Sequence, residues 1–339
     1  MTTCNSNQPL DLNTLHELLN FVDADAPRNE WIKVLMAIKS EFGDDGQQAA
    51  LDWSSLADNF NAKDFLSTWK SIKANGAVTI GTLIHQAKAN GWTPDPISQT
   101  DRKRLEKERK QRQAENAKRA ELEAQQIAKQ HQSASEQAYR IIESAKPAPA
   151  NHPYLQRKQI DAHGILYGAV LSYGNALIIP IYGTQSPFIG EVQNVQSINA
   201  KGNKYFLPAG KKAGGYYPIQ WIEGAPIVIC EGFSTGATLA EHYTPFSSVI
   251  CAFDAGNLLP VAKAFRAQYP TAQIILAGDN DRFTKEGLPA GKNTGIEAAT
   301  KAAKLINAEI SIPYFAPDEM GSDWNDRYLL DSQKVVKHG

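Results

Sequence analysis

The chain has 339 residues, 42% of them hydrophobic, and a formal net charge of −1. That length predicts two or three domains with ordinary packed cores, and the near-neutral balance excludes a uniformly basic polyanion binder, so any nucleic-acid surface has to come from local charge segregation. Three cysteines without a CxxC pair speak against a zinc ribbon or a disulfide framework, and neither a long apolar run nor an export signal at MTTCNSNQPLDLN is present, so a cytoplasmic protein with no membrane partner is expected.

Residues 9–95 predict a separate N-terminal all-α domain. Leu15, Leu18, Leu19 and Val22 recur at helical spacing, as do Trp31, Val34, Leu35 and Ile38, with Asn29 as the expected cap of the second helix. Phe65, Trp69 and Ile72 form a further stripe, and Pro94 and Pro96 break the pattern. Residues 96–148 read as a charged helical linker. The run DRKRLEKERKQRQAENAKRAELEAQQIAKQHQ lacks Gly, Pro and a sustained apolar seam, which suits a solvated helix with i,i+4 charge pairs.

Residues 149–225 predict a small α+β subdomain. Ala176–Tyr182 and Phe188–Val195 read as two strands joined through Gly183 and Pro187. Residues 226–332 alternate strand and helix. Apolar runs at 226–230, 248–253, 273–277 and 308–313 are separated by helical segments at 235–243, 258–269 and 295–306. That alternation predicts a parallel sheet with helices on both faces.

Ligands of such a sheet bind beyond the carboxyl ends of its strands. Glu231 follows the first run, and Asp279 and Asp281 follow the third. One Asp-x-Asp in a loop is often only turn chemistry, but a strand-terminal Glu on the same predicted edge points to a shared site. Three unpaired anions are costly in a cleft, and a hard divalent cation resolves the repulsion, with Mg²⁺ (or Mn²⁺) expected on oxygen ligands. Asp323 and Asp326, in Gly321-Ser-Asp-Trp-Asn-Asp326, are candidates for a second metal position, and Asp254 points to the same rim.

Strand–Glu231-Gly232–helix–strand–helix–strand–Asp279-x-Asp281 resembles the Toprim fold of bacterial replicative primases, topoisomerases and certain nucleases. The resemblance implies Glu231 in acid/base work at the reacting oxygen, and Mg²⁺ on Asp279 and Asp281. Two departures bear on metal number. Thr235 stands where primases often carry an Asp, and Asn325 replaces the second Asp of a later Gly-x-Asp-x-Asp element. The preceding segment is similar to the N-terminal half of the bacterial primase core, with Gln193 or Gln196 in place of its usual Arg. Residues 10–72 are similar to the helical module of the primase C-terminal family.

Arg157, Lys158, Lys201, Lys204, Lys211 and Lys212 are the candidate nucleic-acid and nucleotide contacts. The lysines at 201–212 lie beside Tyr205, Phe206, Tyr216 and Tyr217, and cations interleaved with aromatics suit a single-strand groove. The expected function is a DNA primase-type nucleotidyltransferase of a mobile element, making short primers on single-stranded DNA from NTPs, with a replicative helicase or single-strand-binding protein as further partner. A Toprim nuclease and a non-catalytic DNA-binding replication accessory protein are the alternatives. No separate domain offers a nucleophilic tyrosine for a topoisomerase.

Overall fold

The computed structural model describes residues 10–72, 78–95, 98–170, 174–283 and 290–338. Cys4, Pro96 and part of the loop after Arg282 lie outside them. The chain forms two compact units, Met1–Gln125 and Gln126–Gly339. No helix among the described residues is long and apolar enough to cross a membrane.

The first unit is all-helical: α1 (Leu12–Leu19), α2 (Arg28–Phe42), α3 (Gln47–Ser54), α4 (Ala62–Ser71), α5 (Ile80–Ala89) and the start of the long α6 (Gln99–Ser144). Leu15, Leu35, Ile38, Phe65 and Trp69 meet in one core, as their spacing predicts. Pro27, not Asn29, occupies the N-cap of α2; Asn29 lies in the first turn, where its amide reaches Glu30. Pro at this point sets the chain for helix entry, and no side chain caps the freed N–H groups. The basic start of α6 is engaged rather than only solvated. Arg109 pairs with the buried Glu41 at 2.9 Å, and the Arg112 guanidinium lies 5.1 Å from the Phe42 ring.

In the second unit the end of α6 buries Ala134, Ala138 and Ile141 with Val170, Ile178 and Val195. Ser135 Oγ donates to the Val192 carbonyl at 2.5 Å. Small residues at this spacing let the helix approach the sheet closely without a broad apolar stripe.

The strands are β1 (Lys146–Pro147), β2 (Leu166–Val170), β3 (Gly174–Gly183), β4 (Val192–Ile198), β5 (Lys204–Phe206), β6 (Gly215–Gln220), β7 (Ile227–Cys230), β8 (Ser248–Cys251), β9 (Ile274–Ala277) and β10 (Glu309–Ser311). They form one continuous sheet ordered β1-β2-β3-β6-β8-β7-β9-β10, with β4 and β5 added beside β3. The strand expected from Phe188 begins only at Val192. Gly190, at φ +73°, turns the chain and donates its N–H to Gly183.

β8, β7, β9 and β10 are mutually parallel, as expected, and β6 joins them to the antiparallel strands. α7 (Pro153–Lys158) and α8 (Phe233–Thr238) cover one face with Val228, Cys230, Val249 and Cys251. α9 (Ala255–Gln268) and α10 (Thr294–Ile306) cover the other with Ile227, Ile229, Ile250 and Leu276. Alternate residues therefore face opposite cores, and burial on both faces produces the unbroken apolar runs. The cysteines 230 and 251 are buried core residues. α11 (Trp324–His338) closes the unit.

Candidate functional site

Cys230 of β7 is in register with Ala277 of β9 and Cys251 of β8. β7 thus lies between strands that follow it in sequence, and its two neighbours receive connections from opposite faces. This is the switch point at which an open parallel sheet forms a ligand crevice. Glu231 leaves β7 one residue past that register, and Asp279 leaves β9 two residues past it. The two acids come from neighbouring strands.

Glu231 is 8% exposed, and its Oε1 accepts the Asp279 backbone N–H at 3.4 Å. Thr235 Oγ1, on α8, stands 3.5 Å from Asp279 Oδ1. Asp281 Oδ2 accepts the Gly295 N–H at 3.1 Å, in the positive first turn of α10. Gly295 is a position that spacing alone did not reveal. A Cβ there would lie 2.4 Å from the Asp279 carbonyl oxygen and 3.0 Å from Glu231 Oε1. Asn293 is another. Its Oδ1 accepts from Asp281 N and caps α10 at Ile296 N, while its Nδ2 donates to Asn280. An Asn just before a helical run carries that capping signal in the sequence.

Burial raises Asp279 to about 9, Glu231, Asp323 and Asp281 add repulsion, and Lys204 opposes the shift. Burial likewise raises Glu231 to about 7, against the hydrogen bond from Asp279 N and with help from Asp281 and Asp254. Such a group of acids holds its negative charge only against a cation. Glu231, Asp279 and Asp281 each keep one carboxylate oxygen without a hydrogen-bond partner among the described residues. Hard oxygen donors of this kind fit a divalent ion such as Mg²⁺ or Mn²⁺. Among the described residues no group of three or more His, Cys, Asp or Glu side chains is already arranged to hold a metal ion. Asp254 caps α9 through Asn257 N at 3.0 Å.

Asp323 and Asp326 lie close by, at the start of α11. Asp323 Oδ1 accepts from Asp326 N at 2.7 Å, and Asp326 Oδ2 accepts from Ser322 N at 3.1 Å. Their remaining oxygens face Lys158 Nζ, at 3.8 Å from Asp323 and 3.4 Å from Asp326. Burial raises Asp323, and Lys158 offsets part of the shift. Asn325 between them is fully buried and donates to the Lys158 carbonyl at 2.7 Å and to Thr238 Oγ1 at 2.9 Å. An amide can make these two donations and a carboxylate cannot, which accounts for Asn in place of Asp.

The other basic candidates lie on α7, in the turn before β5, on β5 itself and in the loop that follows it. Arg157 donates to the Ala200 carbonyl and lies 5.8 Å from the Tyr154 ring, beside the turn that carries the exposed Lys201. Lys204 Nζ lies 3.7 Å from the position of a Cβ on Gly232, over the acidic edge. Lys212 Nζ sits 4.7 Å from the Phe206 ring, and the Lys211 carbonyl is held by Gln193 Nε2 at 3.1 Å. Gln193, fully buried, is therefore a clamp for this loop rather than a contact surface. Two of the neighbouring aromatics belong to the packing: Tyr217 is 6% exposed, and Tyr216 meets Phe265 edge-on at 5.2 Å.

Residues 226–333 match the Toprim domain family, the segment that carries β7, β9 and all five acids of the two groups. The chain is a Toprim protein related to DNA primases. Residues 15–87 of this Toprim protein match the Primase C terminal 2 (PriCT-2) family. A DNA primase TraC of Escherichia coli is 31% identical over 237 residues, 68% of this chain and 20% of that protein. A second Escherichia coli DNA primase TraC is 32% identical over 219 residues, 63% of this chain and 14% of that protein. The chain thus spans a fifth or less of these relatives' length. The primase fragment of the bacteriophage T7 primase-helicase protein superposes with a TM-score of 0.39 at 16% identity, covering 54% of this chain and 72% of that one. Toprim domains in general bind metal.

Proposed function

We propose that this Toprim protein synthesises short primers on single-stranded DNA from NTPs, using Mg²⁺ held by Glu231, Asp279 and Asp281. The observation that carries the reading is the convergence of acids from the adjacent strands β7 and β9 on one edge, with Lys204 above them. A bound Mg²⁺ would supply Lewis acidity at the phosphates and neutralise charge gathered there. Glu231, whose Oε2 is free of hydrogen bonds among the described residues, would take the proton of a primer 3′-hydroxyl as that oxygen attacks the α-phosphorus and pyrophosphate leaves. Lys204 would pair with a nucleotide phosphate, and Arg157, Lys201, Lys211 and Lys212 would track the template backbone.

Incubation of the protein with single-stranded DNA and Mg²⁺, with and without labelled NTPs, tests the proposal. Products that grow only with NTPs support it. Shortened DNA without NTPs would establish a nuclease instead, and DNA binding unaffected by Glu231→Ala with no product of either kind would mark a replication accessory protein.

A further inference from the structure

The two acidic groups differ in how their oxygens are used. In Glu231, Asp279 and Asp281 one oxygen each is free of hydrogen bonds among the described residues. In Asp323 and Asp326 two oxygens accept the backbone N–H groups of Asp326 and Ser322, Asp326 Oδ1 accepts from the ammonium of Lys158 at 3.4 Å, and Asp323 Oδ2 is ion-paired with the same ammonium at 3.8 Å.

That lysine is fixed in place from its backbone. It is the last residue of α7, and Gln159, at φ +51°, ends the helix immediately after it. Its carbonyl accepts from Asn325, which is itself buried between the two aspartates in sequence and tied to Thr238 on α8. The Lys158 side chain is 23% exposed, and Asp323 is 18% exposed, so the pairing is largely shielded from water. A shielded ammonium at 3.4 and 3.8 Å from two carboxylates supplies one positive charge between them.

We propose that Lys158 is a built-in counter-ion that fills the second cation position, so that this site takes a single divalent metal ion, on Glu231, Asp279 and Asp281. The inference rests on the reading of those three acids as metal ligands. Lys158 acts here as a positioning residue: it holds the Asp323–Asp326 turn in a set orientation beside the metal and keeps that turn from competing for a second ion. The substitution of Asn for Asp at 325 fits the same arrangement, since the amide anchors the lysine and removes one negative charge.

The test counts bound Mn²⁺ on the full chain by the loss of the free-ion electron paramagnetic resonance signal. The native protein should bind one ion, Lys158→Met should bind two, and Lys158→Arg, which keeps the cation, should remain at one. Lys158→Met combined with Asp323→Asn should return to one ion, which separates a gained site from general disorder. Two ions bound by the native protein, or one by Lys158→Met, would overturn the counter-ion role while leaving the metal-ligand reading intact. No ion bound by the native protein would overturn both.

Discussion

Asp279 gives its backbone N–H to Glu231 Oε1 at 3.4 Å, so the two acids are fastened across β7 and β9 by the main chain while their charges repel. The sheet register brings the two carboxyl groups to one edge, and the cost appears in their protonation.

The metal-free protein should be less stable at high pH. Asp279 rises from 3.8 to about 9 and Glu231 from 4.5 to about 7 on folding. In the windows between these values the folded state binds protons that the unfolded state has released, so stability falls as pH rises from about 4 towards 9. Melting in chelator should drop across this range, and Mg²⁺ should raise the melting temperature more at pH 8 than at pH 5. An increment from Mg²⁺ that is equal at both values would contradict the assignment.

Gly295→Ala should damage both fold and site. The added methyl would meet the Asp279 carbonyl oxygen at 2.4 Å, a backbone atom that cannot swing aside. Overpacking of this kind costs about 1–3 kcal/mol. Urea unfolding should show that loss together with weaker Mn²⁺ binding, whereas Gly291→Ala, with nothing within 4 Å, should change neither.

Asn325→Asp would restore an Asp resembling the primase pattern, yet here it should destabilise. It removes the donations to the Lys158 carbonyl and Thr238 Oγ1 and buries a charge. The cost of leaving such groups unsatisfied is at least about 1–3 kcal/mol. A midpoint in urea equal to that of the native protein would show that the amide is dispensable.

In the helical unit, Arg109→Ala should be more harmful than its surface position suggests. It leaves the 3%-exposed Glu41 carboxylate, already raised by burial, with only Arg112 at 3.8 Å. Breaking a buried pair from one side costs about 3–5 kcal/mol. Hydrogen exchange of the α2 and α4 amides should accelerate accordingly, and Arg104→Ala, whose partners are exposed, should leave it unchanged.

The parallel strands were readable because β7, β8 and β9 are short and buried on both faces, which leaves apolar runs ended by Gly and acids. Strand order was not, since local pattern carries no record of which strands pair: β7 sits between β8 and β9, and β6 fuses the sheet to the antiparallel strands. The edge position of Glu231, Asp279 and Asp281 followed from strand ends alone. The partner of Lys158 did not, because a lysine near phosphate-binding candidates reads as a solvent-facing cation until the fold brings Asp323 and Asp326 to it, 165 or more residues later. The close contacts of α6 were hidden for a related reason. Alanines and serine carry little apolar signal but allow close packing, and Arg109 looks solvated until Glu41 is placed beneath it.

Crystals soaked in Mn²⁺ and measured at its absorption edge address the central claim most directly. One anomalous peak is expected beyond the carboxyl ends of β7 and β9, in contact with Glu231, Asp279 and Asp281. No peak there, or a peak bound only by Asp323 and Asp326 with Lys158 displaced, would contradict it.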